Sequence, residues 1–480
     1  MKTEQKRISD RISYNINRQK FWDVIGLSKN KLTFFNSEYH RRLKEIYKLI
    51  VSPGTSVLEV GCGQGDLIAA LKPSNGVGID FSEVMINNAK LLHPAIQFIQ
   101  ADAHDLKLEG QFDVIILSDL INDIWDVQAV FEQLLPYSKP DTRLIINFHS
   151  RVYQPVLNAA GTLHLAKKLL PQNWLTPEDT VNLLYLAGFE VIKKQQEILF
   201  PLPIPFINGL FNKVLVKIWP FSAFAWTNIF IARPIPMANP AAPSVSVIIP
   251  ARNEAGNIDA AFQRIPKMGS RTELIFVEGH SKDNTFETIQ TMINAHPEWD
   301  AHLYQQKGKG KADAVRVGFE NASGDILMIL DADLTVRPEE LPRFYNALVS
   351  GKGEFVNGVR LVYPMQEQAM RFLNLLGNKF FSMAFSWLMG QSIKDTLCGT
   401  KVMYKIHYER LAANRAYFGE FDPFGDYDLI FGAAKQNLKI VDLPIRYQDR
   451  TYGSTNIDRW RHGLLLFRML AIAAIRLKFI

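Results

Sequence analysis

Ile326-Leu-Met-Ile-Leu-Asp331-Ala-Asp333-Leu-Thr335-Val-Arg337-Pro338-Glu-Glu340 is the stretch around which the second half of the chain is read. Five consecutive apolar residues predict a strand buried on both faces. The run stops at two carboxylates one residue apart. A carboxylate taken out of water without a partner is costly. Two acids at the mouth of a buried strand therefore call for a metal ion, a cationic side chain or water. A hard divalent ion that also grips a diphosphate meets that need, because Mg²⁺ takes carboxylate and phosphate oxygens together. A solvated strand-end turn is the plainer alternative. Pro338 and the acids after it predict a helix start.

Upstream, a strand at Ser244–Ile249 runs into Pro250-Ala-Arg252-Asn253-Glu254, and one at Glu273–Val277 runs into Glu278-Gly-His-Ser281-Lys-Asp283-Asn-Thr285. Small and polar residues between a strand and a helix form a nucleotide cradle. Lys307-Gly-Lys309-Gly-Lys311 is a flexible loop with three cations, suited to phosphates or simply a solvated turn. This order resembles family 2 glycosyltransferases over residues 244–460. The resemblance implies a GT-A domain that binds a nucleotide-diphosphate sugar through Pro250, Arg252, Asn253, Glu254, Glu278, Ser281, Asp283 and Lys311. It also implies a divalent metal, Mg or Mn, on Asp331 and Asp333. The chain departs from the family at Glu278-Gly279, where two aspartates are usual, and at Thr335, where glutamine is common.

Within the family the likeness is to dolichyl- or polyprenyl-phosphate sugar synthases. It rests on Val356-Asn-Gly-Val-Arg360, Arg371, Asn374, Asp395-Thr-Leu-Cys-Gly399-Thr400 and Asp449-Arg450-Thr-Tyr-Gly-Ser454. The likeness implies that Arg360, Arg371, Asn374 and Ser454 hold an anionic acceptor and that Arg360 and Arg450 assist catalysis. The acceptor would be a polyprenyl phosphate or another lipid-linked glycan intermediate; a soluble or protein-linked sugar is the alternative. Asp426 and Asp428 fall where inverting relatives carry a base. Asp428 is kept as a catalytic candidate, needed only if the acceptor is a sugar hydroxyl. Asn456-Ile-Asp-Arg459-Trp460 approaches the Gln-x-x-Arg-Trp signature of processive synthases, but asparagine replaces glutamine, so chain synthesis is not expected.

The first half opens with polar and amphipathic helices over residues 1–50. Ser56-Val-Leu-Glu59-Val-Gly61-Cys-Gly63-Gln-Gly65-Asp-Leu67 then reads as a strand, a glycine turn and a helix start. Such a turn needs positive φ and close ligand approach. A second strand ends at Asp80, placed for ribose hydroxyls. Further strands end at Asp102-Ala103, Ser118-Asp119 and His149. The alternation predicts a doubly wound parallel sheet with its ligand at the carboxyl ends. The segment Glu59–Gly65 with Asp80 and Asp102 resembles class I S-adenosylmethionine-dependent methyltransferases over residues 40–235. The resemblance sets Glu59, Gly61, Gly63 and Gly65 against the methionine part of S-adenosyl-L-methionine. Asp80 would take the ribose, and Asp102 and Ala103 the adenine. A dinucleotide fold is disfavoured, because its glycines fall at the first, third and sixth places. Asp119, Asn122 and His149 are candidates for a base, or else pocket and capping residues. A methyltransferase half serving only as a binding or sensor module is the reading from another class.

Length and composition fit this division. The 480 residues imply at least two domains, and 47% hydrophobic content is that of a globular chain. The expected domains are 1–235, a proline-rich linker at 236–243, and 244–480. The formal charge of +6 permits but does not demand anionic partners, and no nucleic-acid module is visible. Two distant cysteines, Cys62 and Cys398, fit a reducing cytoplasm. The polar N-terminus lacks the apolar core of a signal peptide. No run is long and uncharged enough to span a bilayer. Arg459–Ile480 mixes Arg and Lys with Leu, Phe and Ile, and reads as a helix lying on the inner face of the plasma membrane. Residues 198–232, rich in Phe, Trp and Pro, contain the closing hairpin of the sheet. The stretch Pro201–Ser222 is read as a core insert, a lid or a membrane contact, with a buried or interdomain role preferred.

Overall fold

The computed structural model describes residues 2–27, 34–162, 170–236, 242–363, 372–415, 425–448, 452 and 459–479. The chain divides into two compact units, Met1–Ile235 with Phe479–Ile480, and Pro236–Lys478.

The first unit is organised on a sheet of seven strands: β1 (Ser56–Val60), β2 (Asn75–Asp80), β3 (Gln97–Gln100), β4 (Phe112–Ser118), β5 (Ser138–His149), β6 (Phe189–Glu197) and β7 (Thr227–Pro234). Their order is β3-β2-β1-β4-β5-β7-β6. The first five are parallel, and β7 runs antiparallel between β5 and β6. Successive residues on the inner strands serve opposite cores. Val57 and Ile116 pack on one face with Tyr39, Leu43, Ile46 and Tyr47 of the helix Phe34–Ile50. Leu58 and Ile115 pack on the other with Phe131 and Leu134. Strands that need apolar groups on both faces therefore read as unbroken apolar runs, and the helix shows one apolar stripe.

The second unit has strands β8 (Val245–Ala251), β9 (Thr272–Glu278), β10 (Asp300–Gln305), β11 (Ile326–Ile329), β12 (Phe355–Val359), β13 (Lys401–Tyr404) and β14 (Ile440–Pro444). Their order is β10-β9-β8-β11-β13-β12-β14. Strands β8 to β11 are parallel, and β13 runs antiparallel between β11 and β12. All four residues of β11 are buried. A tight turn of helix at Pro338–Glu340 leads into the helix Leu341–Val349, whose first turn tolerates Pro342 because the amide it lacks has no partner there. The doubly wound α/β class expected from the sequence holds for both units. Each sheet is mixed rather than wholly parallel, because β7 and β13 each return between two neighbours that run the other way.

The helix Phe372–Met389 buries Phe381, Phe385 and Leu388 and exposes Phe380, Met383 and Trp387. The helix Arg459–Ala473 lays Leu466, Met469 and Ala473 inward, and the Phe467 ring meets Phe381 at 5.1 Å. Its other face leaves Leu464 and Phe467 exposed. Among the described residues no helix is long and apolar enough to cross a membrane. The stretch Pro201–Ser222, for which a buried or interdomain role was preferred, is buried only in part: Asn212 and Val216 are inside, whereas Phe206 and Trp219 are among the most exposed large apolar residues described.

Candidate functional sites

In the second unit β9, β8 and β11 lie side by side and parallel, so the loops after them share one edge. Two of these loops lock together. Asn253 N donates to Ser281 Oγ at 3.0 Å, and Lys282 N donates to Asn253 Oδ1 at 2.7 Å. Glu254 N donates to Thr285 Oγ1 at 3.0 Å, and Ala255 N to Asp283 Oδ2 at 3.4 Å. Asn253 adopts a left-handed φ of 58°, which asparagine tolerates better than most residues. The Glu278 carboxylate receives Ser281 N and, at 3.0 Å, Gln305 Nε2. Desolvation works against its charge, but these bonds outweigh it and hold its pKa below the ordinary range. Pro250 lies on β8, and Arg252 is exposed beside this network.

The third loop carries Asp331, paired with Lys311 Nζ at 2.5 Å, and both side chains are about seven-tenths buried. Desolvation opposes the charge on Asp331, and Lys311 outweighs it, with Lys401 and Arg360 adding, so the carboxylate is held below its usual range. Lys311 gains from Asp331 and Asp426 more than desolvation takes away, which raises its pKa. Gly399 faces this pair: a Cβ there would lie 2.1 Å from Asp331 Oδ2 and 2.3 Å from Lys311 Nζ. Asp333 Oδ1 accepts Thr335 N at 3.1 Å and Thr335 Oγ1 at 2.8 Å, which shapes the turn. Asp426 pairs with Lys401 at 3.1 Å, whereas Asp428 turns to Arg415 at 2.9 Å. Of the partners expected for the two acids, a metal, a cationic side chain or water, Asp331 has a cationic side chain in Lys311, and Asp333 takes its bonds from Thr335.

Among the described residues, the grouping with metal-ligand spacing is Glu273, Asp300 and His302, near the amino ends of β9 and β10. Its buried member Glu273 already accepts from Ser246 and Ser323. At Asp331 the Gly399 backbone packs directly against the carboxylate and Lys311, with no room for a side chain.

Arg360 follows β12 and forms a two-point ion pair with Asp395, Nε to Oδ2 at 2.7 Å and Nη2 to Oδ1 at 2.9 Å. Asp395 is fully buried and also accepts from Asn378 Nδ2 at 2.8 Å. Desolvation opposes its charge, but Arg360 and the bonds to it lower the Asp395 pKa to about 2. Sequence reasoning did not find Asn378 or this pairing. Arg371, Arg450 and Ser454 lie outside the described residues, and for Asn374 only the backbone is described.

In the first unit the glycine loop follows β1. Gly61 and Gly65 have φ of 76° and 79°, and a Cβ at Gly65 would strike the Phe98 ring at 2.4 Å. Around Gly63 the space is open, with nothing within 4 Å of an added Cβ. Asp80 spans two loops: its Oδ2 accepts Gly63 N and its Oδ1 accepts Ser82 N, each at 2.9 Å. Glu59 accepts Ile68 N at 3.0 Å. Burial, with the charges of Asp80 and Asp66, lifts its carboxyl from an ordinary 4.5 to about 8. The open backbone at Gly63 beside two acids fits the methionine and ribose parts of S-adenosylmethionine.

Asp102 is held by the N-terminal helix Lys2–Leu27. Its Oδ2 accepts Asn15 Nδ2 at 2.8 Å and Arg11 Nη2 at 3.3 Å, and its Oδ1 pairs with His104 Nδ1 at 2.8 Å. Ala103 follows, partly buried. The same helix reaches Asp123 through Arg18 Nε at 2.9 Å and Trp22 Nε1 at 2.8 Å. At the ends of β4 and β5, Asp119 Oδ1 accepts Tyr39 OH at 2.8 Å and Asn147 Nδ2 at 2.6 Å, with His149 Nε2 at 3.8 Å. Asp119 has a φ of 53°. Asn122 is fully buried and links His149 N to Asn173 O, so its role is structural.

Two families are matched. Residues 246–412 match the model described as Glycosyl transferase family 2, and residues 51–183 match the one described as Methyltransferase domain. A stretch that matches the methyltransferase model is thus followed by one that matches the family 2 glycosyl transferase model. It is similar to a dolichol-phosphate mannosyltransferase of Pyrococcus furiosus, at 29% identity over 218 residues, 44% of this chain and 59% of the relative. It is similar to glycosyltransferase AglJ of Haloferax volcanii, at 27% over 230 residues, 48% of this chain and 71% of the relative. An undecaprenyl-phosphate 4-deoxy-4-formamido-L-arabinose transferase of Aeromonas hydrophila is 32% identical over 111 residues, 22% of this chain and 34% of the relative. The chain thus spans from about a third to about seven-tenths of these relatives' lengths.

Two outcomes follow from this geometry. Glu59 has a folded pKa raised above its unfolded one, so its contribution is full below about 4.5 and is lost as pH rises towards 8. Glu59→Gln should remove that slope from the unfolding of the first unit, by roughly 4 kcal/mol at the alkaline end. Urea melts at the two ends of that range test this, and a variant that keeps the wild-type slope would clear Glu59. Asp395→Asn leaves the Arg360 charge without its partner and should cost about 3 kcal/mol. An unchanged thermal transition of the second unit would rule out that dependence.

Proposed function

We propose that the protein is a bifunctional enzyme of cell-surface glycoconjugate biosynthesis. Its second unit transfers a sugar from a nucleotide-diphosphate donor to a polyprenyl phosphate or a lipid-linked glycan intermediate. Its first unit methylates an acceptor from S-adenosylmethionine. The observation that carries the reading is that β8, β9 and β11 run parallel and side by side, so the loops after them share one edge, and that the loop after β11 carries Asp331 against Lys311 and the bare backbone of Gly399. The relatives named for dolichol phosphate and undecaprenyl phosphate support the acceptor class. The exposed apolar face of the C-terminal helix, with Arg468 and Arg476 also exposed, supports a place on the inner membrane surface.

On this reading the Asn253–Ser281 and Glu278 network seats the nucleoside, and Lys311 meets the diphosphate. Asp331 and Asp333 would hold the divalent ion, which when bound supplies positive charge to the departing diphosphate. An acceptor phosphate oxygen attacks the anomeric carbon as the bond to the diphosphate breaks, in line and with inversion. That acceptor is already ionised near neutrality, so no base is required, and Asp428 is left to its ion pair with Arg415. Arg360, Arg371, Asn374 and Ser454 are assigned to the acceptor and Arg450 to the leaving group. Asp331→Asn and Asp333→Ala should each abolish sugar transfer, by more than about a hundredfold, in a chain that still melts cooperatively. The parent experiment is a calorimetric screen of nucleotide sugars with Mg²⁺ and Mn²⁺. Failure of every donor to bind would end the reading.

For methyl transfer, in-line alignment of the acceptor is the main requirement. Asp119 and His149 stand together at the carboxyl ends of β4 and β5, with the Trp226 ring edge-on to His149 at 6.2 Å and the Tyr153 ring tilted against Trp226 at 4.3 Å. An acid–imidazole pair next to an aromatic wall suits a sugar hydroxyl, whose proton needs a base. His149→Ala should lower methyl transfer to a lipid-linked glycan extract by about a hundredfold while S-adenosylmethionine binding is retained. Equal rates in variant and wild type would remove His149 from the chemistry, and lost cofactor binding would reassign it to the pocket.

A further inference from the structure

The segment between β6 and β7 is built inside out. Asn208, Asn212 and Lys217 point into the protein. Asn212, 1% exposed, accepts Leu199 N and Phe200 N at 2.8 Å and donates to Phe200 O at 2.6 Å. Asn208 Nδ2 donates to Glu38 Oε1 at 2.8 Å and to Leu202 O at 3.0 Å. Lys217 pairs with Glu197 in a nearly dry setting. Many of its large apolar side chains point out: Phe206 is 93% exposed and Trp219 81%, with Ile207, Leu210, Phe221 and Phe224 exposed as well, while Val216 is buried. Phe206 also has a φ of 63°, which a bulky residue seldom adopts, so the local backbone is held against its own preference while it presents the ring.

A soluble surface does not concentrate large apolar groups in this way without a use for them. Charge decides between occupants. No Asp or Glu lies between Leu199 and Trp226, and Lys213 is exposed on the outer side. Tryptophan, phenylalanine and lysine without acids are the groups that settle at the headgroup boundary of an anionic bilayer. We infer that residues 204–224 seat the methyltransferase unit in the interface of an anionic membrane, with Phe206 and Trp219 entering the acyl boundary and Lys213 at the headgroups. The inference stands apart from the identity of the sugar acceptor, since it concerns the first unit.

The test uses the full chain. Cys62 and Cys398 are free and buried, so a cysteine placed at an exposed position takes a thiol-reactive environment-sensitive dye selectively. Phe206→Cys and Trp219→Cys are labelled separately, with Leu91→Cys, 82% exposed in the same unit, as the reference. The vesicles contain equal parts of phosphatidylethanolamine and phosphatidylglycerol. At either 206 or 219 the emission should rise about fivefold and shift to the blue on mixing, and doxyl-labelled lipid should quench it, while the label at 91 stays water-like. Labels at both 206 and 219 that remain water-like in the presence of vesicles would overturn the inference. So would labels already shielded before vesicles are added, which would assign the surface to a second copy of the chain or another protein. The two label positions keep the test decisive if one replacement fails to fold.

Discussion

An acid at the end of a buried strand needs a positive neighbour, and in the second unit the neighbour of Asp331 is Lys311. Much of that unit follows from this pair. The helix Lys311–Asn321 must begin within reach of β11, and Gly310 makes the turn with a φ of 88°. Gly399 must lack a side chain, since a Cβ would collide with both charges. Gly425 must lack one too, because a Cβ there would sit 2.9 Å from the Cα of Ala312. The same approach brings Asp426 towards the cations and leaves Asp428 to Arg415. Partly buried charges interact several-fold more strongly than charges in water, so one short ion pair can fix the meeting point of four loops.

The first unit solves the same problem without a cation. Asp80 is satisfied by two backbone amides, from Gly63 and Ser82, and so ties the glycine loop to the turn after β2. Glu59 has one amide and heavy burial, and its proton is the remaining compensation. In both units the groups assigned to ligand are therefore held in place by the protein itself. Such preorganisation lowers the cost of binding, because little has to be ordered when the ligand arrives.

The sequence made legible what depends on neighbours in the chain. β11 is an unbroken apolar run, β8 and β9 carry apolar centres at Val247–Ile249 and Leu274–Val277, and the glycine loop and Asp331-Ala-Asp333 sit directly at strand ends. What depends on distant neighbours was hidden. The contacts of Arg11, Asn15, Arg18 and Trp22 with Asp102 and Asp123 join residues 87 to 105 apart, and nothing local marks them. The bond from Asn378 to Asp395 has the same character. Asp426 and Asp428 were separable in principle: residues two apart at a helix start point to nearly opposite sides, so both were not going to face one site. The direction of residues 201–222 was not legible, because a stretch rich in Phe, Trp and Pro reads alike whether its rings face inward or outward.

That last ambiguity is resolved by where the polar groups go. Stability alone favours burying rings and exposing amides, since apolar area removed from water is the main gain of folding. The segment between β6 and β7 does the reverse, with Asn208, Asn212 and Lys217 as its internal anchors. Asn212 accepts two backbone amides and donates to a carbonyl, so the arrangement is a specific structure rather than a failed core. The second unit shows a milder form of the same choice, with Phe380, Met383 and Trp387 turned outward on the helix Phe372–Met389 and Leu464 and Phe467 on the C-terminal helix. In each unit, then, stability is given up to keep apolar groups in view of the surroundings. A surroundings less polar than water is the condition under which that choice ceases to be a cost.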